Sequence, residues 1–414
     1  MKIALLTLGC KLNYAETATY ARAFGATGME VCEKQDASAD AFLVNTCAVT
    51  THSENKCRNI IRRCHRLNPA APIVVTGCYA ELRREEVAAL EGVRLVFGAS
   101  EKSRVVPSTL ALLYPGRNDV RDNDDKTFLH AFSGGERTRS FLKVQDGCDN
   151  FCAYCTVPFA RGRSRNAPIC ELLLQAREIA SRGIKEVVLT GVNTGDFGRS
   201  TGESFLDLLK ALDGVEGIER YRISSIEPNL LTEEIIDWTA SSRKFLPHFH
   251  IPLQTGCDRL LRAVGRRYDT ALFASRIDYI RKVMGPGVFL GIDVIVGLPG
   301  ESEEDFLETY RFLSERIRPA FIHIFPYSPR PGTRAAAMPG QVQDSVKSER
   351  AARLEELCSR LHSSFADSCR GLHEKVLWES RGKAGMMTGY TGNYLKVEKP
   401  YDASMIGQIE DIVL

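Results

Sequence analysis

Residues 141–165 read FLKVQDGCDNFCAYCTVPFARGRSR. An apolar run suited to a strand, Phe141 to Gln145, gives way to a turn and then to Cys148, Cys152 and Cys155 in a C-x3-C-x2-C spacing. Three thiolates this close on a loop can hold three irons of a 4Fe-4S cluster and leave the fourth iron without a protein ligand. A zinc site normally takes a fourth Cys or His, and none lies nearby.

The pattern beyond this loop repeats strand and helix. Apolar runs at Glu186 to Thr190, Tyr221 to Ser225, His248 to Leu253, Phe289 to Val296 and Phe321 to Phe325 are separated by helical segments. With the first strand they make about six βα units, fewer than the eight of a closed TIM barrel, so residues 137–368 are expected to form a partial (β/α)6 barrel. Upstream, residues 1–100 also alternate. Runs at Ile3 to Leu8, Ala41 to Asn45, Pro72 to Thr76 and Arg94 to Gly98 predict an N-terminal parallel α/β domain. The helix at Ser53 to Leu67 is the clearest there, with Cys57, Ile60, Ile61 and Cys64 on one face and Arg58, Arg62 and Arg66 on another. Residues 101–136 lose periodicity and read as a linker. After a charged helix at Ser345 to Ser368, residues 369–414 carry short runs separated by glycines and predict a small antiparallel β-barrel. The fold class is α/β.

The composition bounds the function. The chain has 414 residues, 44% apolar and 26% charged, with a formal charge of +2. So small a net charge gives no global attraction to nucleic acid, and any RNA contact must come from local basic clusters. No stretch approaches a membrane span, and MKIALLTLGCKLNY runs directly into a strand, so a cytoplasmic protein with no membrane partner is expected. In a reducing compartment thirteen cysteines point to metal or redox chemistry before disulfides.

A second set of cysteines is spread over the first domain. Cys10 follows IALLTLG, Cys47 follows AFLVNT and Cys78 follows PIVVTG. Each lies just past the carboxyl end of an expected parallel strand, where an open α/β sheet has its ligand crevice. Cys32, Cys57 and Cys64 fit core or helix-face positions as small buried apolar residues. Cys170, Cys257, Cys358 and Cys369 have no mutual spacing that suggests a site.

The C-x3-C-x2-C run is the signature of the radical S-adenosylmethionine superfamily. In that family the open iron chelates the amino and carboxylate groups of S-adenosylmethionine and reduces its sulfonium, releasing a 5′-deoxyadenosyl radical. Gly191, Asn193 and Gly195 in TGVNTGDFG resemble the segment that meets the methionine end of the cofactor. Gly291, Gly297 and Gly300 in GIDVIVGLPGE resemble the adenine-facing strand. Together with LGCKLNYAET, VNTCAVT, TGCYA and SPRPGTRAAAMPGQV (Ser328 to Val342), these motifs resemble the methylthiotransferases over essentially the whole chain. That family has an N-terminal α/β domain, a radical S-adenosylmethionine domain and a C-terminal RNA-binding TRAM barrel. The resemblance implies two 4Fe-4S clusters, the second on Cys10, Cys47 and Cys78 with an open iron that carries the sulfur. It also implies two roles for S-adenosylmethionine, as methyl donor and as radical source.

GCKLNYAET, DNFCAYCTVPFARGRSR, RISSIEP and HFHIPLQTGCDRLLRAVGRRYD most resemble the branch acting on N6-threonylcarbamoyladenosine beside the tRNA anticodon. GVNTGDFG departs from it where a His-containing variant is expected. The alternatives are the isopentenyladenosine and ribosomal-protein branches or, in another class, a non-catalytic iron-sulfur RNA-binding protein. The expected partners of the monomer are a tRNA anticodon stem-loop, an electron donor and a sulfur source. Arg161, Arg163 and Arg165 beyond the cysteine loop, and Arg58, Arg62, Arg63 and Arg66 on the helix, are candidates for phosphate contact; a solvated helix face is the other reading of the second group. Tyr390 and Tyr394 are candidates for base stacking. Arg222, Ser224, Ser225, Glu227 and Asn193 are offered as polar partners of a threonylcarbamoyl group.

Overall fold

The structure is a computed structural model that describes residues 1–115, 128–134, 138–381 and 385–414, without the side chains of 380 and 381. Five parallel strands open the chain: β1 (Lys2–Thr7), β2 (Glu30–Cys32), β3 (Ala41–Thr46), β4 (Ile73–Gly77) and β5 (Val93–Phe97), in the spatial order β2-β1-β3-β4-β5. Every residue of β3 is buried, because a central parallel strand is covered on both faces; its two polar residues, Asn45 and Thr46, are hydrogen-bonded through their side chains. Helix α1 (Lys11–Ala26) places Tyr20 and Phe24 with Ile3 and Leu5 on one face of the sheet. Helix α2 (Thr51–Leu67) places Cys57, Ile61 and Cys64 on the other. It starts two residues before the expected Ser53, where the Thr50 hydroxyl accepts from the Ser53 N–H at 3.1 Å and caps the first turn.

The stretch read as a linker differs at its beginning. Ala99–Arg104 is a 3-10 turn and Val105–Leu113 a helix, and Val105, Val106, Leu110 and Leu113 pack on the α1 face of the sheet. Apolar spacing over about two and a half turns outweighs the charged surroundings that suggested a connector. Residues 116–127 and 135–137 of that stretch lie outside the described residues.

The barrel begins with β6 (Arg139–Lys143). The run expected to continue to Gln145 breaks there, because β7 (Gln145–Asp146) pairs antiparallel with β8 (Arg165–Asn166) at the two ends of the cysteine loop. β9 (Glu186–Thr190), β10 (Arg220–Ile223), β11 (His248–Gln254), β12 (Phe289–Val296) and β13 (Phe321–Pro326) follow. They form the parallel sheets β10-β9-β6 and β11-β12-β13, joined where the Tyr221 N–H donates to the Lys244 carbonyl at 2.8 Å. Six strands thus lie in chain order, and the barrel is partial. The helix Asp344–Ser368 covers β13, with Leu354, Leu357, Cys358 and Leu361 in the main core, while α1 of the first domain packs against β6.

The last domain is an open antiparallel sheet of β14 (His373–Arg381), β15 (Met386–Tyr390), β16 (Lys396–Pro400) and β17 (Ile409–Val413), in the order β16-β15-β14-β17. The expected barrel is therefore a half-barrel among the described residues. Buried arginines from β10 fasten it to the larger domain. Arg220 donates to the carbonyls of Lys375, Tyr390 and Thr391, and Arg222 to those of Thr391 and Gly392 at 2.7 and 2.8 Å. Glu186 on β9 pairs with both, Arg220 at 2.8 Å and Arg222 at 2.7 Å.

Candidate functional site

The cysteine loop is shaped by backbone before side chain. Gly147 and Gly162 both have positive φ, and a Cβ on Gly147 would run into the Arg163 carbonyl. Only glycine accommodates both demands. The Cys148 N–H donates to the Gly162 carbonyl at 3.1 Å, the Cys155 N–H to the Cys152 carbonyl at 3.0 Å and the Ala153 N–H to the Val264 carbonyl at 2.8 Å. Gln145 fastens the loop to the next strand end: its Oε1 accepts from the N–H groups of Val192 and Asn193 at 2.9 and 3.0 Å, and its Nε2 donates to the Gly147 carbonyl at 2.7 Å.

The three thiols of this loop border one cavity of about 280 Å³. Burial, reinforced by the neighbouring thiols, pushes Cys148 up to about 11 and Cys155 up to about 12, and burial raises Cys152 as well. Three converging thiols that resist ionisation suit a multiply charged metal group, which holds them as thiolates. The same cavity meets Asn193, whose Nδ2 is buried without a hydrogen-bond partner among the described residues. Glu227 also lines it, accepting from Asn150 Nδ2 at 2.9 Å and paired with Arg266. A carboxylate, an unsatisfied amide donor and three thiols can serve a cluster and the polar end of an amino acid.

The second triplet is assembled by the sheet. The order of the N-terminal strands puts the point of reversed winding between β1 and β3, and Cys10 and Cys47 stand just beyond these strands. Gly9 has φ +111°, and its Cβ would lie 2.9 Å from Cys47 Cβ and 3.2 Å from Cys47 Sγ. Gly77, with φ +100° directly before Cys78, lies against the backbone of Thr46. The buried Asn13 side chain ties these ends together: Nδ2 donates to the carbonyls of Leu8 and Thr46 at 2.7 and 3.0 Å, and Cys10 Sγ lies 3.9 Å from its Oδ1. Burial, then the thiols of Cys78 and Cys10, push Cys47 up to about 12. Burial also raises Cys78, against the opposing charges of Arg161 and Lys102.

Cys10 opens onto a larger cavity of about 710 Å³, walled by α1, the barrel strands and the C-terminal sheet. Ser225 lines both cavities. So the loop triplet and Cys10 face adjoining spaces. Across this junction His250 Nε2 lies 2.7 Å from Asp293 Oδ1 and His250 Nδ1 lies 3.3 Å from Ser225 Oγ. His323 stacks obliquely on His250, ring centres 4.9 Å apart, and burial holds its pKa down at about 4. Sequence reading missed this group. Its signal was present as polar residues in the apolar strand runs HFHIPLQ, GIDVIV and FIHIF, where a buried polar side chain needs a partner or a role.

Other candidates move. Arg161 is buried, donating to Glu16 at 3.2 Å, Asp146 at 2.9 Å and Asn13 at 2.5 Å. It is corrected from a phosphate contact to part of an inter-domain ion network with Lys102 and Lys143, both of which also bind Glu16. Burial favours this assignment because an arginine enclosed with two carboxylates cannot reach RNA. Arg165 is largely covered and pairs with Asp146 at 3.3 Å, and Arg58 pairs with Glu86 at 2.6 Å. Arg163 keeps 82% of its side chain exposed, and Arg62, Arg63 and Arg66 are exposed. Arg222 is not a free substrate partner, since Glu186 and the C-terminal sheet engage it. Gly191 and Gly291 line the larger cavity and Asn193 the smaller. Gly195 and Gly297 line neither of these two; Gly195 admits the Leu230 side chain and Gly297 that of Lys347. The SPRPGTR segment clamps the start of α2: Arg330 donates to Thr51 Oγ1 at 3.1 Å and pairs with Glu54.

The family described as Radical SAM superfamily matches residues 142–313, and that described as Uncharacterized protein family UPF0004 matches residues 2–98. The chain is similar to the Threonylcarbamoyladenosine tRNA methylthiotransferase MtaB of Bacillus subtilis, 38% identical over 98% of this chain and 92% of that protein. A protein of the same name from Aquifex aeolicus is 37% identical over 92% of this chain and 94% of its own. The tRNA-2-methylthio-N(6)-dimethylallyladenosine synthase of Wolinella succinogenes is 33% identical, covering 99% and 96%. Among solved structures, the radical S-adenosylmethionine methyltransferase TsrM from Kitasatospora setae, with cobalamin and a 4Fe-4S cluster bound, superposes with a TM-score of 0.59 at 14% identity, over 94% of this chain and 80% of that one. At that identity the likeness is one of fold alone.

Proposed function

We propose, from the premise that this chain belongs to the threonylcarbamoyladenosine tRNA methylthiotransferase family, that Cys148, Cys152 and Cys155 hold one 4Fe-4S cluster and Cys10, Cys47 and Cys78 a second. The chain is a radical S-adenosylmethionine enzyme that converts N6-threonylcarbamoyladenosine in tRNA to its 2-methylthio derivative. The observation that carries the two-cluster reading is that the loop thiols and Cys10 of the sheet triplet line adjoining cavities with Ser225 in both walls. When bound, the clusters and S-adenosylmethionine supply the electron, the sulfur and the methyl group that replace a C–H by a C–S bond.

The chain's own residues bind, orient and exclude water. Asn193 Nδ2 and the Glu227 carboxylate are placed to meet the amino-acid end of S-adenosylmethionine in the smaller cavity. Gly191 and Gly291 leave room for backbone approach in the larger one. Phe141, Phe289 and Phe321 give that larger cavity apolar walls, which keep the target base out of bulk water. The ring of Tyr394, stacked on Tyr390 at 5.0 Å between centres, offers a surface for a nucleobase. Arg62, Arg63, Arg66 and Arg163 are exposed cations available to the anticodon stem-loop backbone. An electron donor and a sulfur source complete the set of partners, and the protein acts as a monomer in the cytoplasm.

Anaerobically reconstituted protein incubated with tRNA, S-adenosylmethionine and a reductant tests this reading through mass spectrometry of the nucleosides. Threonylcarbamoylated and isopentenylated tRNAs are offered side by side, and the 2-methylthio product is expected on the first alone. Product confined to the isopentenylated tRNA overturns the substrate.

A further inference from the structure

The larger cavity has a charge pattern that points to the acidic part of its substrate. Among the described residues no aspartate or glutamate lines it, while Lys11, Arg139, Arg222 and Lys396 do. Three of these cations are already matched. Arg139 pairs with Glu379 at 2.6 Å, Arg222 with Glu186 at 2.7 Å and Lys396 with Glu398 at 2.7 Å. Of the four, Lys11 alone makes no hydrogen bond or ion pair through its side chain among the described residues.

Position strengthens the point. Lys11 is the first residue of α1, whose first turn carries no acidic side chain and whose N-cap, Cys10, makes no side-chain cap. The unsatisfied N–H groups of that turn add positive potential beside the ammonium. Lys11 also directly follows Cys10, one of the thiols proposed to hold the cluster from which sulfur reaches adenine C2. In adenine, C2 and the N6 substituent flank the same ring nitrogen, N1. A base that turns C2 toward Cys10 therefore carries its N6 chain along the same edge, within the space that Lys11 faces.

We infer that the Lys11 ammonium is the counter-ion of the carboxylate on the substrate's threonylcarbamoyl chain, and so the residue by which this site selects an acidic N6 substituent over a neutral one. The inference rests on the reading that threonylcarbamoyladenosine is the substrate and assigns its charged group to one side chain. Lys11 is exposed on the cavity wall, so its ammonium keeps its water until a ligand fills the cavity, and the ligand must then supply the anion. A neutral ligand of similar shape leaves it unpaired, which is the source of strong discrimination at polar sites.

The test uses the full-length reconstituted protein and three anticodon stem-loop RNAs of one sequence, carrying threonylcarbamoyladenosine, its methyl ester or isopentenyladenosine. kcat and KM are read from product, with iron content and 5′-deoxyadenosine release as independent measures. The native protein should favour the free carboxylate over the ester by about a hundredfold in kcat/KM. Lys11→Gln should lose about a hundredfold on the carboxylate substrate, chiefly in KM, keep the ester rate within about threefold, and retain its iron. Lys11→Arg should recover most of the preference, since charge rather than shape is retained. A Lys11→Gln protein that still prefers the carboxylate overturns the assignment. So does one that slows equally on both substrates or loses iron, because Lys11 would then serve the fold or the thiol triplet. A native protein that modifies only the isopentenylated RNA instead overturns the substrate reading itself.

Discussion

Cys148, Cys152 and Cys155 lie on one loop whose shape is set within its own sequence, whereas Cys10, Cys47 and Cys78 come from the ends of three strands and meet only when the sheet has formed. Both sets rely on a glycine of positive φ in front of a cysteine, namely Gly147, Gly9 and Gly77. They differ in what else must be intact. The loop needs two turns and the Gln145 brace. The sheet set needs the β1, β3 and β4 ends in register and Asn13 across them. Local construction tolerates distant damage, and assembled construction does not.

The largest effect should come from removing each set of thiols. Alanine at Cys148, Cys152 and Cys155 should abolish 5′-deoxyadenosine formation, while alanine at Cys10, Cys47 and Cys78 should spare part of it and stop methylthiolation. Iron should fall from about eight per chain to about four in either case. An N-terminal triple variant that still methylthiolates RNA removes the division of labour.

A subtler break leaves all the thiols in place. Gly77→Ala forces a Cβ into the Thr46 backbone and Gly147→Ala forces one into the Arg163 carbonyl. The first should lose the N-terminal irons and keep the loop irons, and the second the reverse, with cluster spectra as the measure. Equal loss from both variants would show that the sets do not form independently.

The inter-domain ion network sets the next scale. Glu16 faces Lys102, Lys143 and Arg161 in the interior. Glu16→Gln leaves buried positive charge short of an anion and should cost about 3–5 kcal/mol in thermal or denaturant unfolding. Burial alone would raise the Glu16 and Asp146 pKa values, but the field of the surrounding cations prevails and lowers both. Carboxylates held low in the folded state stabilise it fully above their unfolded pKa of about 4. That contribution is lost as pH falls from there through the lower folded values. The native protein should therefore destabilise on acidification below about pH 4 more steeply than Glu16→Gln. Parallel curves would contradict the network's charge assignment.

The smallest effect concerns RNA. Arg62→Gln and Arg163→Gln should each reduce the slope of log affinity against log salt by about 0.7–0.9. Arg161→Gln should act on stability through the same interior network as Glu16. A salt slope altered by Arg161→Gln in a protein of unchanged stability would return Arg161 to the RNA surface.

These contrasts also explain what the sequence could reveal. The loop triplet was legible because its spacing is local, and the sheet triplet because each cysteine closes an apolar strand run. β2, three residues at an edge with only partial burial, lacks the apolar run that marks the other strands. The residues of the Glu16 network come from α1, the turn after β5, β6 and the cysteine loop, so no period connects them. Arg161 alternates with Arg163 and Arg165 and looks like part of a basic stripe. Only tertiary pairing separates the buried member from the exposed one. Arg222 misled in the same way, because its partners are backbone carbonyls from residues far along the chain.

The fastening of the C-terminal sheet has one further consequence. Tyr390, Tyr394 and Lys396 are part of the wall around the larger cavity, so this sheet is the side of a vessel as well as an end of the chain. Loosening it through Arg220 or Arg222 should make the vessel leak. A base held loosely in it would miss the radical step, and the enzyme would consume S-adenosylmethionine without transferring a methylthio group. The ratio of 5′-deoxyadenosine released to methylthio groups installed thereby becomes a gauge of how tightly three domains close around one base.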